Sequence, residues 1–187
     1  MPHLLLKDLP PYECLIEAAK HYPSLDPSAC EVFLHLLRTG DEAFLFSEQN
    51  LAEQGISPGR FGVLMALAKA CPPGSDAPGP GLTPAELADN SRVTRATMTG
   101  LIDTLERDGF VRRAVDAEDR RMIRICFTPK ARHFLQRMLP GHFRCMASVM
   151  STLSESERQT LVRLLDKIYQ RAAALNAGVS ARSVKSA

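Results

Sequence analysis

The chain has 187 residues, of which 45% are hydrophobic and 24% charged, so it can bury the core of one globular domain and is not predominantly disordered. Its formal net charge is only +2, from 23 Lys and Arg against 21 Asp and Glu, and this sum by itself points to no partner. No apolar run approaches the roughly 20 residues that cross a bilayer, and the N-terminus is too short and proline-rich for a signal sequence, so we expect a cytoplasmic protein that has no membrane partner.

The charge is unevenly distributed along the chain. Residues 1–57 carry 3 basic and 9 acidic residues, a net charge of −6, whereas residues 91–137 carry 11 basic and 6 acidic residues, a net charge of +5. An anionic partner is therefore expected to bind the second segment.

Motifs for catalysis and metal binding are missing from the sequence. It contains no G-x-S-x-G, no phosphate-binding glycine loop and no H-E-x-x-H. The five cysteines are odd in number, far apart and without a C-x-x-C pair, so we expect reduced thiols rather than disulfides or zinc. His142 and Cys145 share one helix with His133, but no further ligand lies at a suitable spacing. We therefore expect that the protein is not an enzyme and that it binds no metal and no cofactor.

Helix starts are clearly marked in this sequence. A capping residue followed by proline is a strong N-terminal signal, and it occurs at Asp26-Pro27, Ser57-Pro58, Thr83-Pro84 and Thr128-Pro129. Capping boxes are predicted at Thr83 with Glu86 and at Ser154 with Glu157.

The N-terminal part is predicted to be helical. A short helix is expected within residues 1–25, and a helix from Asp26 to about Glu53 is apolar on several sides and needs neighbours all round. Another helix follows at 58–70. Residues 71–81 contain four prolines and three glycines and are predicted to form a surface loop.

A helix-turn-helix is predicted next. Residues 83–90 form a short helix, and residues 94–108 form a second one that ends at Gly109. Only Ser91, Arg92 and Val93 separate the two, which is typical of this motif. The second helix has one apolar stripe, made of Met98, Leu101, Ile102 and Leu105.

A β-hairpin follows, with strands in 110–115 and 121–127 and a charged loop at 116–120, as in the wing of a winged helix. A long helix is predicted from Thr128 to about Met150, bent near Pro140. A last helix is predicted over 154–175, and residues 176–187 are expected to be a disordered tail.

The sequence LTPAELADNSRVTRATMTGLIDTLERDGFVRR, followed by DAEDRRMIRICFTPKAR, resembles the MarR (multiple antibiotic resistance regulator) family of winged-helix transcription factors. The likeness extends over roughly residues 26–174. It implies a mainly α fold with a small β-hairpin wing, in which residues 57–128 form the winged helix-turn-helix lobe. The N- and C-terminal helices, 26–56 and 129–175, would form a dimerisation domain, with 1–25 as an N-terminal extension.

The resemblance also implies a homodimer that binds a pseudo-palindromic operator in double-stranded DNA. The recognition helix would enter the major groove by the face opposite its apolar stripe. This face comprises Thr94, Arg95, Ala96, Thr99, Gly100 and Asp103. Thr94 is the predicted N-cap, and Arg95 would contact phosphate or guanine. The alternative is that Arg95 is simply a solvated surface residue.

In the wing, the family pattern places Arg121 in the minor groove and has Asp119, two residues earlier, orient it. Phosphate contacts, which hold register without determining sequence preference, are expected from nearby arginines. These are Arg112, Arg113 and Arg120. The family commonly has a glycine in the turn, where this sequence has Ser91-Arg92-Val93, and Arg92 is expected to add a phosphate contact. The alternative for 116–121 is an ordinary solvated turn.

Family members are typically released from DNA by small anionic aromatic ligands or by cysteine oxidation. Candidate pocket residues by position are Phe33, His35, Arg38, Phe61 and Met65. The alternative is that they are ordinary residues, since a lone His or Phe on a helix is more often a core or surface residue than a ligand contact. Cys30, near a helix N-terminus, and then Cys14 are the candidates for a redox sensor. A protein-interaction module that keeps the winged-helix scaffold without binding DNA is the alternative from another functional class.

Overall fold

A computed structural model of the protein describes residues 4, 8–70, 80–91, 93–116 and 119–184. Within these ranges the fold is mainly α with one two-stranded antiparallel sheet, so the predicted fold class is confirmed. In chain order the elements are α1 (Tyr12–His21), α2 (Pro27–Glu53), α3 (Pro58–Lys69), α4 (Pro84–Ser91), α5 (Arg95–Arg107), β1 (Val111–Val115), β2 (Ile123–Phe127), α6 (Pro129–Met150) and α7 (Glu155–Val184).

The predicted helix caps are formed by side-chain hydrogen bonds. Oδ1 of Asp26 accepts from the Ala29 amide at 3.0 Å, and the Ser57 hydroxyl accepts from the Arg60 amide at 3.4 Å. The Thr83 and Thr128 hydroxyls accept from the amides three residues later, each at 3.2 Å. Because these contacts lie within a few residues of each other in the chain, the sequence predicts them well.

The chain forms two compact units, Met1–His142 and Phe143–Ala187. This division differs from the predicted boundaries, because the first part of α6 lies in the first unit. Ala131, Leu135 and Met138 of that helix are buried in the same hydrophobic core as the helix-turn-helix. An amphipathic helix that continues past a compact core can belong to both units, and residue patterning alone does not reveal where that core ends.

The core of the first unit lies beneath the helix-turn-helix. Met98, Ile102 and Leu105 of α5 are fully buried, as the apolar stripe predicted. They lie in one cluster with core residues of other elements, including Leu64 of α3, Leu87 of α4 and Ile125 of β2. Burial of this stripe turns the opposite face of α5 to solvent.

The hairpin is joined to the chain that precedes the helix-turn-helix. Val111 pairs with Phe127 and Val115 with Ile123 in antiparallel register. Leu82 forms a further bridge with Ile125, in which each amide donates to the other's carbonyl, at 3.1 and 2.8 Å. The wing is thereby attached to the residue just before the Thr83 cap.

The last helix is longer than predicted. α7 continues to Val184, so the expectation of a helix ending at 175 and a disordered tail from 176 is wrong as far as Val184. The segment after 175 contains no proline, and Gly178 costs only about 1 kcal/mol in a helix interior. Residues 185–187 of the predicted tail lie outside the described residues. In α6, Pro140 lies inside the helix, and the bend expected near it stays a prediction.

None of the described helices is both long and apolar enough to span a membrane. Within the described residues, no group of three or more His, Cys, Asp and Glu side chains is arranged to hold a metal ion.

Candidate nucleic-acid interface

The exposed face of α5 carries the residues predicted to contact DNA. Thr94 caps the helix, since its hydroxyl accepts from the Thr97 amide at 3.1 Å. Arg95, Ala96 and Thr99 are exposed, and the Thr99 hydroxyl donates to the Arg95 carbonyl at 3.0 Å. The face is thus a helix start with one cation and small side chains, which lets another molecule approach the backbone closely.

Gly100 continues this open surface. A Cβ placed on it would meet no heavy atom within 4 Å. The glycine is therefore not required by packing inside the chain, and it keeps the surface of the recognition helix low at this position.

Arg121 of the wing is exposed and hydrogen-bonded to Asp119. The arginine side chain is 92% exposed, and its Nε lies 3.2 Å from Oδ1 of Asp119. The same oxygen accepts from the Arg121 amide at 2.9 Å. Asp119 therefore binds both the amide and the side chain of Arg121, which is the pairing that the family pattern implied. Residues 117 and 118 of this loop lie outside the described residues.

The recognition helix and the wing meet at a shared hollow. Arg95 and Thr99 of α5 and Arg121 of the wing line it together with Thr83 at the start of α4. Two arginines separated by 26 positions in the sequence thus flank one surface. We call Arg95, Thr99 and Arg121 the basic face.

Arg113 of β1 is held by the recognition helix. Its guanidinium donates to Oδ1 of Asp103 at 2.5 Å and to the Glu106 carboxylate, and its amide donates to Glu106 Oε1 at 3.1 Å. The hydrogen bond to Asp103, followed by the charge of Glu106, raises the pKa of Arg113. Asp103 and Arg113 were both predicted as DNA contacts, and here they neutralise each other.

The remaining predicted phosphate contacts lie on different surfaces. Arg112 is exposed and, together with Arg132 and His133, lines a hollow at the start of α6. Arg120 is exposed next to Arg121 in the wing. Arg92 of the turn lies outside the described residues, so its expected phosphate contact has no structural description.

Asp116 and Arg124 form a network that the sequence analysis missed. The Asp116 side chain is buried and paired with Arg124, which lies on β2. Arg124 also lies near Glu86, where hydrogen bonds from the Thr83 amide and hydroxyl, with a smaller contribution from Arg124, lower the pKa of the glutamate. The only sequence signal for this network is the first aspartate of D-x-x-D-R-R.

The five candidate pocket residues lie at different places. Met65 lines a cleft with Gly62 and Leu101, whereas the Phe61 ring lies edge-on to His142, with 5.0 Å between ring centroids. On α2, three further candidates are spread along the first half of the helix: Phe33 and His35 are exposed and Arg38 is half-buried. As a ligand-binding set, they stay a prediction.

The cysteines resolved in the described residues carry free thiols. Cys14 is exposed on α1, and Cys30 is half-buried in the first turn of α2. Cys126 is buried in β2 and Cys145 is half-buried in α6. The redox assignment to Cys30 or Cys14 therefore stays a prediction.

The MarR family model matches residues 79–123, which include the helix-turn-helix and the first strand of the hairpin and end at the first residue of the second strand. The HTH-type transcriptional repressor YetL of Bacillus subtilis is 39% identical over 166 residues, which cover 89% of this chain and 95% of YetL. The chain belongs to the MarR family. The prediction of a MarR-family transcriptional regulator is thereby confirmed.

Solved structures confirm the fold of this MarR-family chain. A structure of BpsR from Bordetella bronchiseptica, studied for regulation of its DNA binding by 6-hydroxynicotinic acid, superposes with a TM-score of 0.58 at 24% identity, covering 72% of this chain and 91% of BpsR. Sco3205, a MarR family regulator from Streptomyces coelicolor solved in complex with DNA, gives 0.59 at 24% identity, covering 73% of this chain and 85% of its own.

Proposed function

We propose that this MarR-family chain is a homodimeric transcriptional repressor, without enzymatic activity, that binds a pseudo-palindromic site in double-stranded DNA. The hydrogen-bonded pair of Asp119 and Arg121 carries the proposal. A solvent-exposed arginine fixed by a neighbouring carboxylate suits a narrow minor groove, where negative potential is concentrated. The Arg121 amide donates to the same Asp119 oxygen, so one carboxylate contacts both the backbone and the side chain of this arginine.

The recognition helix supplies the major-groove part of the proposal. Its capped N-terminus offers backbone amides to phosphate, and Arg95 can donate two hydrogen bonds to guanine. Ala96 and Gly100 allow the helix to lie deep in the groove. Arg95 and Arg121 lie on the same basic face, and this supports a proposal in which the helix contacts the major groove and the wing contacts the adjacent minor groove.

Dimerisation is supported by the apolar surface of α7. Leu161, Leu164, Leu165 and Ile168 lie at helical spacing and are 37–51% exposed in the single chain. Exposed apolar stripes of this kind mark interaction surfaces. A two-fold symmetric dimer would place two recognition helices about 34 Å apart, which matches two half-sites one helical turn apart.

For release from DNA, we propose a small aromatic anion as the ligand class. BpsR, which shares the fold, is regulated by 6-hydroxynicotinic acid, an aromatic compound with a carboxylate. In this chain the candidate contacts remain Phe33, His35, Arg38, Phe61 and Met65. Oxidation of Cys30 or Cys14 is the alternative release signal.

DNA binding is tested by fluorescence anisotropy. The labelled duplex comes from the DNA upstream of the chain's own gene, and a shuffled duplex of the same composition is the control. We expect tighter binding to the upstream duplex, with log K falling linearly with log salt concentration, because phosphate contacts release counterions. Equal binding to both duplexes, or no binding, would overturn the proposal and favour a protein-interaction module.

The release signal is tested on the preformed complex. Salicylate and hydrogen peroxide are added separately to complexes of the wild type and of the C30S and C14S variants. The proposal expects release by salicylate in all three proteins. Release by peroxide alone, abolished in C30S or C14S, would establish the thiol sensor instead.

A further inference from the structure

Asp116, at the end of β1, uses both of its carboxylate oxygens within the wing. The residue is only 8% exposed. Oδ1 accepts from the Asp119 amide at 3.0 Å, and Oδ2 accepts from Nε of Arg124. The Asp116 amide in turn donates to the Met122 carbonyl at 2.9 Å. One side chain thus fixes the start of the turn that carries Asp119.

Arg124 extends this contact to the helix-turn-helix. Its Nη1 donates to the Gly81 carbonyl at 3.3 Å. Gly81 has a φ of +71°, and a Cβ on it would lie 2.7 Å from the Ile125 carbonyl oxygen, so no larger residue fits here. The next residue, Leu82, bridges to β2 and is followed directly by the Thr83 cap of α4.

These contacts form a continuous chain from the start of α4 to the tip of the wing. Arg124 donates to the Gly81 carbonyl and to the Asp116 carboxylate, and the Asp119 amide donates to the same carboxylate. Asp119 then accepts from both the amide and Nε of Arg121. Each link is a hydrogen bond between the atoms named, so the contacts connect the terminal arginine to the pair in the middle.

We infer that Asp116 and Arg124 are positioning residues, which set the place of Arg121 relative to the recognition helix and act on DNA only through that arginine. The inference rests on the proposed function. An ion pair of this kind contributes little to stability compared with apolar residues of similar size, and here the Arg124 side chain is 33% exposed. The role that the inference assigns to the pair is orientation. Arg120, exposed beside Arg121, is outside this chain of contacts and provides the matched control.

The first test uses the free protein and needs no DNA. Amide hydrogen exchange is followed by NMR in the wild type, D116A and D116N. We expect faster exchange at the Asp119 and Arg121 amides in D116A, with the β1–β2 ladder amides still protected. D116N keeps an oxygen that can accept from the Asp119 amide and should exchange more slowly than D116A there. Unchanged exchange at both wing amides in D116A would overturn the inference.

The second test is a double-mutant cycle on operator affinity. We expect D116A and R121A each to weaken binding by about tenfold, and the double variant to be no weaker than R121A alone. In the control cycle, the fold-losses of operator affinity caused by D116A and by R120A should multiply in the double variant. R124K, which keeps the charge but cannot donate from two nitrogens in a fixed fork, should fall between wild type and D116A.

The outcomes separate the two claims. If the losses from D116A and R121A multiply, Asp116 does not act through Arg121 and the inference is wrong, whereas the proposed function stands. If the wild type binds no operator, the proposed function fails, and the role in DNA binding assigned to Asp116 fails with it. Circular dichroism and thermal melting of every variant identify a loss of affinity that comes from unfolding.

Discussion

The Nη2 atom of Arg113 lies 2.5 Å from Oδ1 of Asp103, which ties the first strand of the wing to the recognition helix. Glu106, one turn further along α5, binds the same guanidinium. Because Arg113 already has two carboxylate partners, it should contribute less than a full positive charge to any DNA contact. Its role is to hold the hairpin against α5.

Arg112 and Arg113 are adjacent and should nevertheless behave differently when each is replaced by Ala. R112A should make the negative slope of log K against log salt concentration shallower by about one, because one exposed cation is removed from the phosphate contacts. R113A should change this slope less. It should also lower the melting temperature slightly, because an exposed ion-pair network is worth up to about 1 kcal/mol. Salt titrations and thermal melts of both variants measure this; equal slopes would contradict the assignment.

The wing arginine should matter for affinity. Replacing Arg121 by Ala should weaken operator binding by about 1–3 kcal/mol at fixed salt, since a groove contact is lost. R120A removes the same charge from the neighbouring position and should cost less than R121A. Anisotropy titrations at one salt concentration compare the two, and an R121A affinity equal to that of the wild type would remove the claim that Arg121 contacts the minor groove.

Acid should destabilise the start of α4. Hydrogen bonds from the Thr83 amide and hydroxyl hold the pKa of Glu86 below the ordinary value for a glutamate. Because the pKa of Glu86 is lower in the folded than in the unfolded chain, its carboxylate contributes to the free energy of unfolding. This contribution is fully present above the unfolded-state pKa and is lost as the pH falls through the folded-state pKa. E86Q should therefore show a smaller fall in melting temperature than the wild type as pH drops below about 4.5. E48Q, which removes an exposed carboxylate near the C-terminal end of α2, controls for charge. Identical profiles for E86Q and the wild type would refute the claim.

The apolar stripe of α7 should be needed for the dimer. Leu164 is 51% exposed in the single chain, and L164E would place a charge in a buried interface. We expect L164E to shift the chain from dimer to monomer in sedimentation equilibrium. The variant E157Q, on the same helix but at its cap, should remain dimeric. A monomeric wild type, or a dimeric L164E, would show that this stripe does not form the interface.

Local interactions were predictable from the sequence, and interactions between elements were not. The caps at Asp26, Thr83 and Ser154 bond to residues three positions later, so a short motif specifies them. Asp119 and Arg121 are equally close in sequence. The apolar stripe of α5 fixed which face is buried, because helical periodicity alone determines it.

Arg113 and Asp116, in contrast, look like solvated charges in the sequence. Their partners, Asp103 and Arg124, are brought close by the packing of β1 on α5 and by the hairpin register. The end of α7 was misplaced because Gly178, which resembles a helix stop in the sequence, lies inside the helix, where a glycine costs only about 1 kcal/mol. The pocket residues were chosen by type, and residue type does not determine which helix faces meet.

Hydroxyl-radical footprinting of the operator by wild type and R121A tests the central claim most directly. The wild type should protect two half-sites about one helical turn apart, with additional protection in the flanking minor grooves where the wings lie. R121A should lose the flanking minor-groove protection while the central protection persists. A wild-type footprint without minor-groove protection, or one that R121A leaves unchanged, would contradict DNA recognition by α5 and the wing together.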